Sequence, residues 1–123
     1  MPALFLLIVL AALGVVAVRL SGVQQQTVVL AMQSARAYAT ARAGIEWAGN
    51  RALNAGSCTS ATIALSEGGL AGFSVDTICN STTHSEGPDT VTVFTIEAFA
   101  RSGSYGTPDY VSRRIRATVT DAT

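Results

Sequence analysis

The sequence predicts an α+β chain in which one long N-terminal helix is followed by a small antiparallel sheet. Residues 1–18 hold no charged side chain, and residues 23–53 are rich in Ala, Gln and Met and free of Pro, which is helix-forming chemistry. From Thr59 onward, short runs of Thr, Val, Ile and Phe alternate with clusters of Gly, Pro, Asn and Ser, the pattern of strands joined by turns. The expected division is helix at 1–53 and globular head at 54–123.

The opening run is MPALFLLIVLAALGVVAV, closed by Arg19. At ~1.5 Å per residue, positions 2–18 extend roughly 26 Å, close to a hydrocarbon core about 30 Å thick. A secretory signal would place a basic residue ahead of the apolar run and a small-residue cleavage site behind it. Here Arg19-Leu20-Ser21-Gly22-Val23 follows, which fits that reading poorly. The expectation is a helix that resides in a membrane for at least part of the protein's life. Proteolytic removal of a short charged leader would account for the missing basic flank.

Past Arg19 the helical pattern continues. Small and apolar side chains recur at Val28, Met32, Ala35 and Ala39, then at Tyr38, Ala41, Ile45, Ala48 and Ala52, spacings of three and four that draw a stripe on a helix. Arg36, Arg42, Glu46 and Arg51 fall largely off it. Asn54-Ala55-Gly56 is a stop, because Asn and Gly tolerate the left-handed conformation that ends helices. Gly14 and Ser21-Gly22 are the weak points, Gly being about 1 kcal/mol worse than Ala in a helix. The predicted helix, 3–53, is about 75 Å long. The seventy residues of 54–123 cannot cover it, so its first half needs lipid or copies of itself.

Four strands are expected, at Thr59–Leu65, Phe73–Cys79, Thr90–Arg101 and Tyr110–Thr120. Alternation puts Phe73, Val75, Thr77 and Cys79 on one face, and Phe94, Ile96, Ala98 and Ala100 on one face of the next strand. The last strand places Arg113 among Val111, Ile115, Ala117 and Val119, where it would need a carboxylate such as Glu97 or Asp121. The loops at Asn80–Asp89 and Tyr105–Tyr110 are the expected outward surface. Cys58 and Cys79 read as a disulfide in a small exported domain, worth about 3 kcal/mol; the alternative is a reduced buried pair.

Eight Arg, no Lys and eight acids leave net charge zero, so no overall field favours nucleic acid. Arg101, Arg113, Arg114 and Arg116, with Tyr105 and Tyr110, form a candidate binding strip of the kind that meets DNA backbones or acidic glycans; pairing with Glu97, Asp109 and Asp121 is the favoured reading of those arginines. His84 is the only histidine, so a His/Cys metal site has no second His, and a hydrolase triad has neither a His to spare nor a G-x-S-x-G elbow. Gly68-Gly69-Leu70-Ala71-Gly72 lacks the Lys of a phosphate-binding loop and reads as a turn. No enzyme, cofactor, metal or small-molecule substrate is expected.

An apolar N-terminal segment running into a long helix, then a small sheet with a cysteine pair, resembles the type IV pilins and pseudopilins. Arg19-Leu20-Ser21-Gly22-Val23-Gln24-Gln25, Ala41-Arg42-Ala43-Gly44-Ile45-Glu46-Trp47, Gly56-Ser57-Cys58 and Tyr105-Gly106-Thr107-Pro108-Asp109-Tyr110-Val111-Ser112-Arg113-Arg114 are similar to the MshP-type pilin-like proteins of mannose-sensitive haemagglutinin pilus clusters. The resemblance implies a filament subunit held in the bacterial inner membrane, then assembled on the cell surface with copies of itself or other pilins. It further implies a prepilin peptidase that makes Met1 the first mature residue, usually methylated. Assembly would run through Phe5, Leu6, Ile8, Val9, Leu13 and Gly14. The runner-up expectation is a single-span, membrane-anchored periplasmic binding module that never polymerises.

Position 5 departs from the family. Most pilins carry Glu there, to compensate the terminal ammonium of a neighbouring subunit within an apolar core, whereas this chain has Phe5. Either the subunit sits at a tip or priming position where that pairing is not needed, or it polymerises through packing alone.

Overall fold

Pro2 opens helix α1 (Pro2–Ala55), its ring supplying helical φ at a position whose N–H would have no partner within the helix. The computed structural model describes residues 1–122. It has this one long helix and a single four-stranded antiparallel sheet, the α+β, pilin-like layout expected. The strands are β1 (Ala61–Ala64), β2 (Ser74–Glu86), β3 (Asp89–Ser102) and β4 (Val111–Thr120), joined as neighbours in chain order. Helix α1 passes through Gly14 and Gly22 without a break. It ends where Gly56 takes φ +62°, and the Ser57 amide donates back to the Arg51 carbonyl.

Compactness divides the chain between Gln33 and Ser34, inside α1, and not at the junction of helix and sheet. The first unit, Met1–Gln33, is helix only, with exposed side chains from Met1 to Met32. The second unit runs from Ser34 and contains the rest of α1 with the sheet.

Within the second unit, α1 buries Ala37, Thr40, Ala41, Gly44, Ala48, Gly49 and Ala52. Facing them are Phe73, Val75 and Thr77 of the β2 side and Phe94, Ile96, Ala98 and Ala100 of β3. This corrects the expected stripe. Ala41, Ala48 and Ala52 are buried, but Val28, Met32, Ala35, Tyr38 and Ala39 are exposed. The sheet supplies the bulk, so the helix face that meets it is the smallest one, and the large aromatics turn outward. Two buried hydroxyls have partners: Thr40 Oγ1 donates to the Arg36 carbonyl at 2.9 Å and Thr77 Oγ1 to the Ala61 carbonyl at 3.1 Å.

A second correction concerns Asn80–Asp89. It is not a loop: β2 and β3 continue as a hairpin to the pair Glu86↔Asp89, leaving a two-residue turn at Gly87-Pro88. Gly87 has φ +65°, and Pro88 fixes its own φ near −65°, the sign pattern of a type II′ turn, which matches the twist of the flanking strands. Asp121 braces the open side of this hairpin: its Oδ1 accepts the Thr92 amide at 2.7 Å, and its own amide donates to the Thr92 carbonyl at 3.2 Å.

Candidate assembly surface

The apolar segment is a helix with no inside. Eleven Leu, Ile, Val and Phe side chains between Leu4 and Val18 are exposed, among them Phe5 at 68% and Leu13 at 62%. Burying one such side chain is worth about 1.5–3 kcal/mol, so leaving all of them in water forgoes roughly 15–30 kcal/mol. That exceeds the ~5–15 kcal/mol by which a whole domain is stable. An apolar environment around this segment would recover that free energy. It is one helix long and apolar enough to cross a membrane. Phe5, Leu6, Ile8, Val9, Leu13 and Gly14 all lie on it, and Gly14 offers open space where a side chain would be. Arg19 is the first charge along it, and the next is Arg36.

The head is anchored at one point by covalent chemistry. Cys58 and Cys79 form a disulfide with Cα atoms 5.2 Å apart, tying the segment after α1 to β2. Cys79 lies two residues beyond Thr77, the last residue of β2 paired with β1, so the bridge holds the strand where that neighbour ends.

The sheet face that does not meet α1 carries a charged network. Glu97 of β3 receives Arg116 at 2.9 Å and Arg114 at 3.0 Å, and Asp76 of β2 receives Arg101 at 3.1 Å. Phe99 stands directly across from Arg114, whose guanidinium lies 4.9 Å from the ring centre. The hydrogen bond from Arg116 is the main reason the Glu97 carboxyl sits below its ordinary pKa; desolvation opposes it, and the Arg114 and Arg116 charges add to it.

The expected pairing thus holds at Glu97 and differs elsewhere. Asp109 turns to the Thr107 hydroxyl, which lowers its pKa, and Asp121 serves Thr92. Arg113 lies exposed opposite Ala100, with no ion-pair partner among the described residues. Strand parity explains this: Glu97 points to the face of Arg114 and Arg116, and Arg113 points to the other. Asp76 and Phe99 were missed in the sequence, although their alternation with the core residues Val75 and Ala98 placed them on this face.

Tyr105 and Tyr110 meet edge to face, with ring centres 5.5 Å apart, and Tyr105 is 90% exposed. Among the described residues no hydrogen bond or ion pair joins this tyrosine pair to Arg114 or Arg116. The proposed strip is therefore two features: an aromatic corner, and a set of arginines already engaged with carboxylates.

Comparison with protein-family models, curated proteins and solved structures finds no match to this chain.

Proposed function

We propose that this chain is a structural, non-catalytic subunit of a type IV pilus-like filament, akin to the MshP-type pilin-like proteins, stored in the bacterial inner membrane and then displayed outside the cell. The observation that carries the reading is the segment from Leu4 to Val18 of α1, apolar on every side and exposed, in a chain that also carries a disulfide-bonded head. A lipid bilayer and a bundle of like helices solvate such a segment equally well, so moving from one to the other loses little apolar burial. In this reading a prepilin peptidase frees Met1, and Phe5, Leu6, Ile8, Val9 and Leu13 pack against neighbouring subunits. Phe5 brings aromatic bulk where an acid would bring charge, which suits either a tip position or a shaft held by packing alone.

The test has two steps. Intact mass spectrometry of the chain from its native membrane should return Met1 as a methylated first residue. Electron microscopy and immunolabelling of sheared cell surfaces should then find the chain in filaments. An unmodified or extended terminus, with all protein retained in the membrane, would instead identify a single-span anchored binding module.

A further inference from the structure

Beside the short outer strand β1, α1 leaves an apolar groove open. Ala43, Gly44 and Trp47 of α1, Ile63 of β1, Leu65 just past it and Val75 of β2 line about 200 Å³ of space. That is less than the ~300–1,000 Å³ of a small-molecule site and suits a single side chain. Arg51, one turn beyond Trp47 on α1, lies 4.7 Å from the centre of the indole ring. Along α1, Gly44 approaches Ala98 and Gly49 approaches Ile96, so the helix runs against β3 and therefore against β1. Glu67, two residues past Leu65, consequently lies towards the end of the groove away from Arg51.

On the other flank of the sheet, the connection from β3 to β4 displays one aromatic ring. Tyr105 is 90% exposed, against 49% for Ile78, the next most exposed large apolar or aromatic side chain of the second unit. The connection is closed on itself: the Thr107 amide donates to the Ser104 carbonyl at 3.0 Å, the Tyr110 amide donates to the Thr107 carbonyl at 3.1 Å, and the Tyr110 ring braces that of Tyr105. Gly103 and Gly106 hold φ +80° and +90°, and a Cβ on Gly103 would stand 3.0 Å from the Asp109 carbonyl oxygen. The ring is therefore presented in a set pose, which lowers the ordering entropy lost when it makes a contact. Asp109 of this connection has no ion-pair partner among the described residues, and neither has Arg51 beside the groove. Arg36, Glu67, Glu86, Asp89, Arg113 and Asp121 lack one as well, but of these only Glu67 lies within two residues of one that lines the groove.

We infer that Tyr105 of one copy of this chain seats in the groove beside Trp47 of a second copy, with Asp109 of the first meeting Arg51 of the second. The groove takes one side chain, and the chain itself offers one displayed ring with a charge opposite to that of Arg51. Glu67 at the far end would repel Asp109, which gives the entry a direction. The groove lies by β1 and the ring by β4, the two outer strands, so unlike surfaces meet and repetition extends the contact into an open array. A tyrosine brings about 150–250 Å² of surface, far below the ~1,200–2,000 Å² of a stable pair. The contact therefore orders heads already gathered through their apolar segments; it rests on the filament reading and adds to it what sets one head against the next.

The test uses the full chain in cells. A photoreactive benzophenone amino acid replaces Tyr105, keeping an aromatic ring there, and its adducts are sized on gels and mapped by mass spectrometry. The expected adduct has the mass of two chains and joins position 105 to a peptide of the second copy containing Trp47, Ile63 or Leu65. Ala43→Trp, at an exposed position on the groove wall, should lower its yield about tenfold by filling the space. Asp109→Arg and Arg51→Asp should each lower it about threefold, and both changes in one chain should restore it. Retention of the Cys58–Cys79 bridge on non-reducing gels checks folding of every variant. Adducts to other proteins or to other parts of the chain, a yield unmoved by Ala43→Trp, or failure of the charge exchange to restore it overturns the inference. If filaments are present and position 105 gives no such adduct, this contact alone is wrong; if the unaltered chain forms no filaments, the filament reading falls with it.

Discussion

Gly44 of α1 lies so close to Val75 of β2 that a Cβ added to the glycine would stand 2.7 Å from the valine Cγ2, with Thr77 and Ala98 at 3.3 and 3.4 Å. A branched side chain fixed on a central strand cannot retreat from such an atom without moving its strand. The glycine is therefore what lets helix and sheet close on one another.

Gly44→Ala gains about 1 kcal/mol of helix propensity and loses about 1–3 kcal/mol to overpacking. The net expected result is a loss of about 1 kcal/mol, and Gly44→Val should lose more. Urea unfolding of the full chain in detergent, followed through Trp47, the only tryptophan, reads this directly. Gly22→Ala is the control: nothing lies within 4 Å of its added Cβ, so stability should hold or rise by up to about 1 kcal/mol.

Opening the Cys58–Cys79 bridge should cost about 3 kcal/mol, because it frees a closed loop of 21-residue separation in the unfolded chain. The double variant Cys58→Ser, Cys79→Ser and the reduced natural chain should unfold at similar urea concentrations, both below the oxidised chain. Equal midpoints for oxidised and reduced protein would show that the bridge contributes nothing.

Glu97→Gln should make stability respond differently to acid. The folded carboxyl has its pKa lowered, chiefly by the Arg116 hydrogen bond, so its contribution is complete above the unfolded value of about 4.3 and fades as pH falls through the folded value. The melting-temperature gap between natural chain and variant should be widest near neutrality and close as acid protonates the Glu97 carboxyl of the folded chain. A gap of constant width would mean that the Arg114–Glu97–Arg116 arrangement is not ionic in solution.

Leu13→Arg places a charge in the middle of the apolar segment, at a cost of about 2.5–3.5 kcal/mol in a bilayer. The share of chain that resists carbonate extraction from membranes should drop, and the variant should be excluded from filaments formed by the natural chain. Leu53→Arg, on an exposed position of α1 in the second unit, should leave carbonate resistance unchanged.

Much of this layout was legible in advance because it depends on local pattern. The charge-free run, the Pro-free stretch after it and the Gly56 stop define a helix without reference to anything distant. Alternation likewise placed Phe94, Ile96, Ala98 and Ala100 on one face and Cys79 with Val75. The hairpin at Asn80–Asp89 was missed because Ser, Thr, His and Asn look like loop residues. Gly87-Pro88 was the signal present, a two-residue turn flanked by Thr-rich runs. Counting apolar residues found Ala41, Ala48 and Ala52 of the buried helix face but added exposed Val28, Met32 and Tyr38 and passed over Thr40, Gly44 and Gly49, since a close helix-sheet contact selects small size, not hydrophobicity.

By itself, the sequence determined a helix of more than fifty residues with a membrane-like first part, a cysteine pair in a small β head, and the balance of charge. Each of these is a sum or a period over neighbouring residues. Only the tertiary structure decided that Glu97 answers Arg114 and Arg116, that Arg101 goes to Asp76, and that Arg113 has no ion-pair partner among the described residues. Those outcomes depend on which strand lies beside which, and in what register. A shift of one residue there would exchange every face, and no local pattern contains that information.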